Sequence, residues 1–153
     1  MAPTTHSRNK SITVLLNGTI ASLNNVLPMK HELSKPILQK DKIELSYAVL
    51  IGVTGDLKGK LVLLGEPSIF GSIGKVMFGM ALEGEMLSSF SGELGNMVAG
   101  GIATNIVDHG LNIDITAPTI LQGNTSLSGY KQAINLRVRL ESGEELGLYL
   151  LLD

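Results

Sequence analysis

The chain has 153 residues, no cysteine and a formal net charge of −2, with 44% hydrophobic and 17% charged residues. That balance fits one globular domain over residues 1–153, and it excludes a disulfide framework, a thiolate metal site, a disordered chain and the basic footprint of a nucleic-acid binder. No apolar run approaches the roughly 18 residues that span a bilayer, and MAPTTHSRNK lacks the apolar core of a signal peptide, so no membrane partner and a cytoplasmic location are expected.

Residues 1–10 are polar and are expected to fray. Ser11 is a fair N-cap for a first helix, in which Ile12, Leu15, Leu16, Ile20, Leu23 and Leu27 recur at helical spacing until Pro28 stops it. Asn17, Gly18 and Thr19 weaken it locally. Pro36 points to an edge strand around Lys35–Gln39. Leu45–Val53 and Lys60–Leu64 read as strands joined by a turn from Thr54 to Gly59. Glu66-Pro67 opens a second helix with Ile69, Ile73, Val76, Met77 and Met80 as its apolar face and Gly79 as its stop.

The stretch Met86–His109, MLSSFSGELGNMVAGGIATNIVDH, dominates the chain. At 100° per residue, Leu87, Phe90, Leu94, Val98 and Ile102 share one side of a helix. Ser89, Glu93, Asn96, Gly100 and Val107 share the other. Four internal glycines (Gly92, Gly95, Gly100 and Gly101) make this helix cost roughly 3–4 kcal/mol more than its alanine counterpart. A helix that only fills a core has no cause to accept that cost. Close packing against a neighbour suits Gly95 and Gly101, whereas Gly100, on the stripe of Glu93 and Asn96, leaves room for another molecule. Asp108-His109-Gly110 closes the helix.

Leu111–Thr116 alternates as a strand, Pro118 marks its bend or end, and GNTSLSG (123–129) reads as a polar loop. Ile134–Leu140 turns through Glu141–Glu144 into Leu146–Leu152. Helix, strand and hairpin therefore occur twice, a faint internal echo.

The residues Ser89-x3-Glu93-x2-Asn96, followed about 21 residues later by Pro118 in the setting SGELGNMVAGGIAT … LNIDITAPTIL, resemble the chemotaxis phosphatases of the CheC, CheX and FliY family, and the CheX type above all. The likeness runs from the first helix near Ser11 to the last strand. It implies an α/β (α+β) fold, with helices packed on a mixed, largely antiparallel sheet and a pseudo-two-fold internal repeat. It also implies a homodimer, joined through the Lys35–Gln39 strand or the C-terminal strand. Some members carry a second copy of the motif; the first helix here does not.

The resemblance implies a target, the phosphorylated CheY-type response regulator, whose aspartyl phosphate and divalent metal, Mg by expectation, belong to the partner. This chain would bring no cofactor or metal of its own. By match to the motif, Asn96 would place the attacking water and Glu93 would pair with a cation in the partner's site. Ser89 stands where the family allows aspartate or serine; together with Gly100 it is expected to face the partner. Pro118 would shape the strand beside the helix. The chemistry is reasonable on its own terms: an amide both donates and accepts hydrogen bonds, and phosphoryl transfer depends mainly on positioning.

Other signals are weaker. His6, His31 and His109 lack ligand-spaced neighbours. Gly74-Lys75 has a phosphate-loop flavour, but Val76 and Ile69 stand where hydroxyl and glycine are needed. Glu83 and Glu85 read as solvated charges, Asn112 and Asp114 as an exposed strand face. The six methionines read as core filling, with Met97 bordering the functional stripe. Two other readings stay open: a non-catalytic regulator-binding or flagellar-switch-associated module, and a domain whose helix stripe packs against its own copy.

Overall fold

The structure is a computed structural model and describes residues 5–153. The fraying expected at residues 1–4 lies outside the described residues. Three helices, α1 (Thr5–Val26), α2 (Pro67–Phe78) and α3 (Gly84–Val107), pack against one eight-stranded sheet. Its strands are β1 (His31–Leu33), β2 (Ile37–Gln39), β3 (Ile43–Gly55), β4 (Gly59–Leu64), β5 (Ile113–Ile115), β6 (Thr119–Leu127), β7 (Gln132–Leu140) and β8 (Glu145–Leu152).

The strand order is β1-β7-β8-β4-β3-β5, with β2 also on β7 and β6 also on β3. Every pairing is antiparallel, so the sheet has no parallel component. The order exposes a pseudo-two-fold. α1 followed by β1–β4 matches α3 followed by β5–β8, with α2 as the connector. Each half sends its first two strands onto the other half's sheet: β1 and β2 lie on β7, β5 and β6 on β3. The halves meet at β4 and β8, from Gly59 opposite Leu152 to Leu64 opposite Gly147.

The C-terminal strand is therefore no edge. β8 is hydrogen-bonded on one side to β4 and on the other to β7. Its run LGLYLLL is apolar at nearly every position because both of its faces are buried: Leu146, Leu148, Leu150 and Leu152 join the helix-side core, Tyr149 and Leu151 a second cluster on the opposite face.

Three elements differ from their sequence reading. α1 already runs through residues 5–10, so Ser11 is interior and not a cap; nothing in this stretch breaks a helix, and the Arg8 Nη2 donates to the Asp153 carbonyl at 2.9 Å. β6 occupies most of the stretch read as a polar loop, because hydrogen bonding to β3 organises it without an apolar alternation. α2 is rotated: Ile69, Phe70, Ile73 and Gly74 are buried while Val76 is exposed, and Met80, read as part of its apolar face, lies exposed beyond its end. Gly74 carries no hydrophobic signal, yet a Cβ there would sit 2.6 Å from Leu82 Cδ1. That contact makes Gly74 a packing residue inside a helix, so it is not part of a phosphate loop. Gly79 ends α2 in the left-handed region (φ 73°) as expected, its N–H bonded to the Lys75 carbonyl.

α1 and α3 cross at small residues. A Cβ on Gly18 would meet Ile106 Cγ2 at 2.6 Å, and one on Gly101 would run into the Ser22 hydroxyl. Ser22 Oγ donates to the Val98 carbonyl at 2.7 Å, and Asn105 Nδ2 to the Gly18 carbonyl at 3.0 Å. Each helix thus offers a glycine and, four residues on, a polar side chain that caps the crossing. The positions on α1 that this crossing matches to Glu93 and Asn96 hold Lys10 and Thr13, so the repeat in fold is not a repeat in chemistry.

Candidate phosphatase site

α3 is held in rotation by what lies beneath it. A Cβ on Gly95 would approach Val49 Cγ1 at 2.7 Å and Ile51 Cδ1 at 3.3 Å, so the helix backbone rests on β3. Gly92 rests on Pro118, whose Cγ would lie 3.4 Å from such a Cβ. Pro118 itself occupies the break between β5 and β6. Buried Ser91 accepts a hydrogen bond from the Tyr47 hydroxyl (2.8 Å) and donates to the Leu87 carbonyl (2.8 Å). Tyr47 is braced edge-on by Phe70 at 5.3 Å.

With Phe90, Leu94, Val98 and Ile102 buried, the opposite face turns outward. Ser89, Glu93 and Asn96 are exposed on it. Glu93 and Asn96 are three residues apart, so their Cβ atoms lie about 5–6 Å from each other on neighbouring turns. Ser89 precedes Glu93 by one turn and Gly100 follows Asn96 by one, which makes a single stripe. A Cβ on Gly100 would have nothing within 4 Å. The surface therefore presents a carboxylate and a carboxamide side by side, with open space after them.

The neighbouring surface was misjudged from the sequence. Met80 and Met86 do not fill the core; they are 56% and 58% exposed, and Phe78 is 59% exposed. With Leu82 and Phe90 as floor they wall a groove of about 610 Å³ between the end of α2 and the first turns of α3, and its far end is formed by Ser89 and Glu93. Phe78 stands edge-on to Phe90 at 5.7 Å. The sequence signal was the triplet Phe78-Gly79-Met80, a helix stop flanked by bulky residues. Met97 is half-buried beside the stripe.

Among the described residues no group of three His, Asp or Glu side chains is placed to hold a metal ion. The His31 ring nitrogens face the Met29 carbonyl (2.8 Å) and the Asn24 amide oxygen (2.9 Å), and His109 is exposed at the end of α3. No described helix is long and apolar enough to cross a membrane.

A family model described as chemotaxis phosphatase CheX matches residues 47–138, more than half of the chain and all of α3. The chain belongs to the CheX family of chemotaxis phosphatases. This CheX-family chain is 27% identical over 144 residues to the CheY-P phosphatase CheX of Thermotoga maritima, a match covering 91% of this chain and 93% of that protein. It is also similar in structure to a CheC-like superfamily protein from Shewanella sp. PV-4 (TM-score 0.76, 25% identity, 93% of this chain and 96% of that one). A chain of the CheX-CheY-BeF3-Mg2+ complex from Borrelia burgdorferi shares the fold (TM-score 0.74, 20% identity, 92% and 96% covered). A CheX-family phosphatase is a hydrolase.

Proposed function

We propose that this chain hydrolyses the aspartyl phosphate of a CheY-type response regulator, with Asn96 positioning the attacking water and Glu93 anchoring the regulator's active site. The observation that carries this reading is the exposed Glu93–Asn96 pair on one rigidly seated helix, with open space at Gly100. Neither member of the pair is a strong nucleophile, and no base stands beside one to activate it. The pair offers a donor and an acceptor on one amide, enough to hold a water in line with the bond that breaks. Water oxygen bonds to phosphorus, the bond from phosphorus to the aspartyl oxygen breaks, and carboxylate and inorganic phosphate leave. The regulator's own divalent ion supplies the charge neutralisation on the phosphoryl oxygens. Glu93 faces a cationic side chain of the regulator, and Ser89 and Gly100 border the contact.

The relative from Thermotoga maritima carries the name CheY-P phosphatase, and the Borrelia burgdorferi complex pairs CheX with CheY; both support this partner. The reading places the protein in the cytoplasm as a homodimer. The Lys35–Gln39 segment lies at one of the sheet's two edges, where β2 leaves Ile37 and Leu38 44% and 63% exposed; β5 and β6 form the other.

The test is the decay of a phosphorylated CheY-type regulator with and without this protein. Asn96→Ala should lower the catalysed rate by about a hundredfold or more while leaving regulator binding largely intact. Glu93→Ala should weaken binding as well as turnover. A full rate in Asn96→Ala would remove the water-positioning role, and no acceleration by the wild type would reduce the protein to a docking module.

A further inference from the structure

The groove beside Glu93 is more than surface roughness. Three of the seven large apolar side chains exposed among the described residues, Phe78, Met80 and Met86, each more than half exposed, line this one groove. Holding them in water is unfavourable unless something covers them. The groove has no inward-facing ring of polar groups of the kind that orients a metabolite, which argues for a protein surface as its occupant. Its polar lining comes from Glu85, Ser89 and Glu93, two of them acidic, and no basic side chain lines it.

Resting on the function proposed above, we propose that this groove receives an apolar segment of the same phosphorylated regulator, one with bulky aliphatic or aromatic side chains next to a basic residue, and that it sets affinity and partner choice. Two observations commit the groove to that occupant. Glu93 belongs to both surfaces, so a regulator contacting Glu93 already stands at the mouth of the groove. The acidic lining complements the cation that Glu93 requires. Distance separates the two roles. Met86 lies ten residues before Asn96 on one helix, about 15 Å along its axis, too far to touch the water or the phosphoryl group.

The experiment measures dephosphorylation of a CheY-type regulator from the same source, phosphorylated with acetyl phosphate, by wild type, Phe78→Glu, Met86→Glu and the conservative Met86→Leu. Binding of the same regulator loaded with beryllofluoride and Mg2+ is titrated in parallel. Phe78→Glu and Met86→Glu should raise KM and Kd by about tenfold or more with kcat within about twofold, and Met86→Leu should restore both. Asn96→Ala should show the converse, so loss of the catalytic assignment and loss of the groove assignment are told apart. If wild type fails to accelerate decay but the beryllofluoride complex still binds and loses affinity in the two charged variants, the groove stands without the phosphatase reading. Unchanged KM and Kd in both charged variants would overturn the proposal. So would a shift from dimer to monomer in sedimentation with KM unaltered, which would make the groove a contact between copies.

Discussion

Gly100 and Gly95 lie five residues apart on one helix, yet the same substitution should stabilise the protein at the first and not at the second. Glycine to alanine inside a helix gains about 0.8–1 kcal/mol in backbone propensity. At Gly100 the new methyl meets nothing within 4 Å, so the full gain of about 1 kcal/mol should appear, raising Tm by roughly 2–4 °C. At Gly95 the methyl would lie 2.7 Å from Val49 Cγ1 and 3.3 Å from Ile51 Cδ1. Both neighbours are β-branched, fully buried and stiff at χ1, so they cannot swing aside. Overpacking of about 1–3 kcal/mol then outweighs the propensity gain, leaving Gly95→Ala unchanged to about 2 kcal/mol less stable. Urea unfolding monitored by circular dichroism reads both values, with unchanged m confirming that midpoints report stability. The stabilised Gly100→Ala protein should nevertheless be the poorer phosphatase, because its methyl occupies the space offered to the partner. A Gly95→Ala variant more stable by the full propensity gain would refute the close seating of α3 on β3. A Gly100→Ala variant that lost stability would refute the open face.

Tyr47→Phe removes the hydroxyl that Ser91 accepts in a buried site and should cost about 1–2 kcal/mol, read as a lower denaturation midpoint. An unchanged midpoint would show that this hydrogen bond does not seat the helix. Burial chiefly, and the neighbouring Tyr130 next, raise the Tyr149 pKa above 10.0 against the opposing effect of Arg137. The neutral phenol is thus favoured in the folded state. Its stabilising contribution is complete below the unfolded value and is lost as pH climbs through the folded value. Alkaline unfolding above about pH 10 should be blunted in Tyr149→Phe, and the difference between the ultraviolet titrations of wild type and that variant should show Tyr149 ionising late; ionisation of Tyr149 at or below 10.0 would contradict its desolvation.

What could be read without coordinates follows from where a periodic signal is strong. α3 combines an apolar stripe with a polar one over six turns, so its phase, and with it the outward direction of Glu93 and Asn96, was legible. Gly79 and Gly110 marked helix ends because a left-handed residue has few substitutes. β2 was legible only through Pro36, whereas β1, three residues at an edge where one side is solvated and no alternation develops, was not. β6 was hidden for the same reason. The groove was missed because methionine gives the same hydrophobic signal inside and outside. The rotation of α2, with Phe70 and side-chain-free Gly74 inward, turns Phe78 to water, and the left-handed cap Gly79 takes Met80 off the helix altogether. The centrality of β8 was present in its uninterrupted apolar run, since a strand with one wet face cannot carry that composition.

The exchange of short strands between the two halves governs how this chain matures. During synthesis, β3 emerges long before the β5 and β6 that complete its outer edge, and β4 before β8. β1 and β2, made almost first, must wait for β7 near the end. Neither half can close its own sheet, so lasting structure appears only once nearly the whole chain is available, and the pairings formed then span most of its length. Such a topology folds slowly, and a truncation inside β7 or β8 would leave sticky edges on both arms, not one intact lobe.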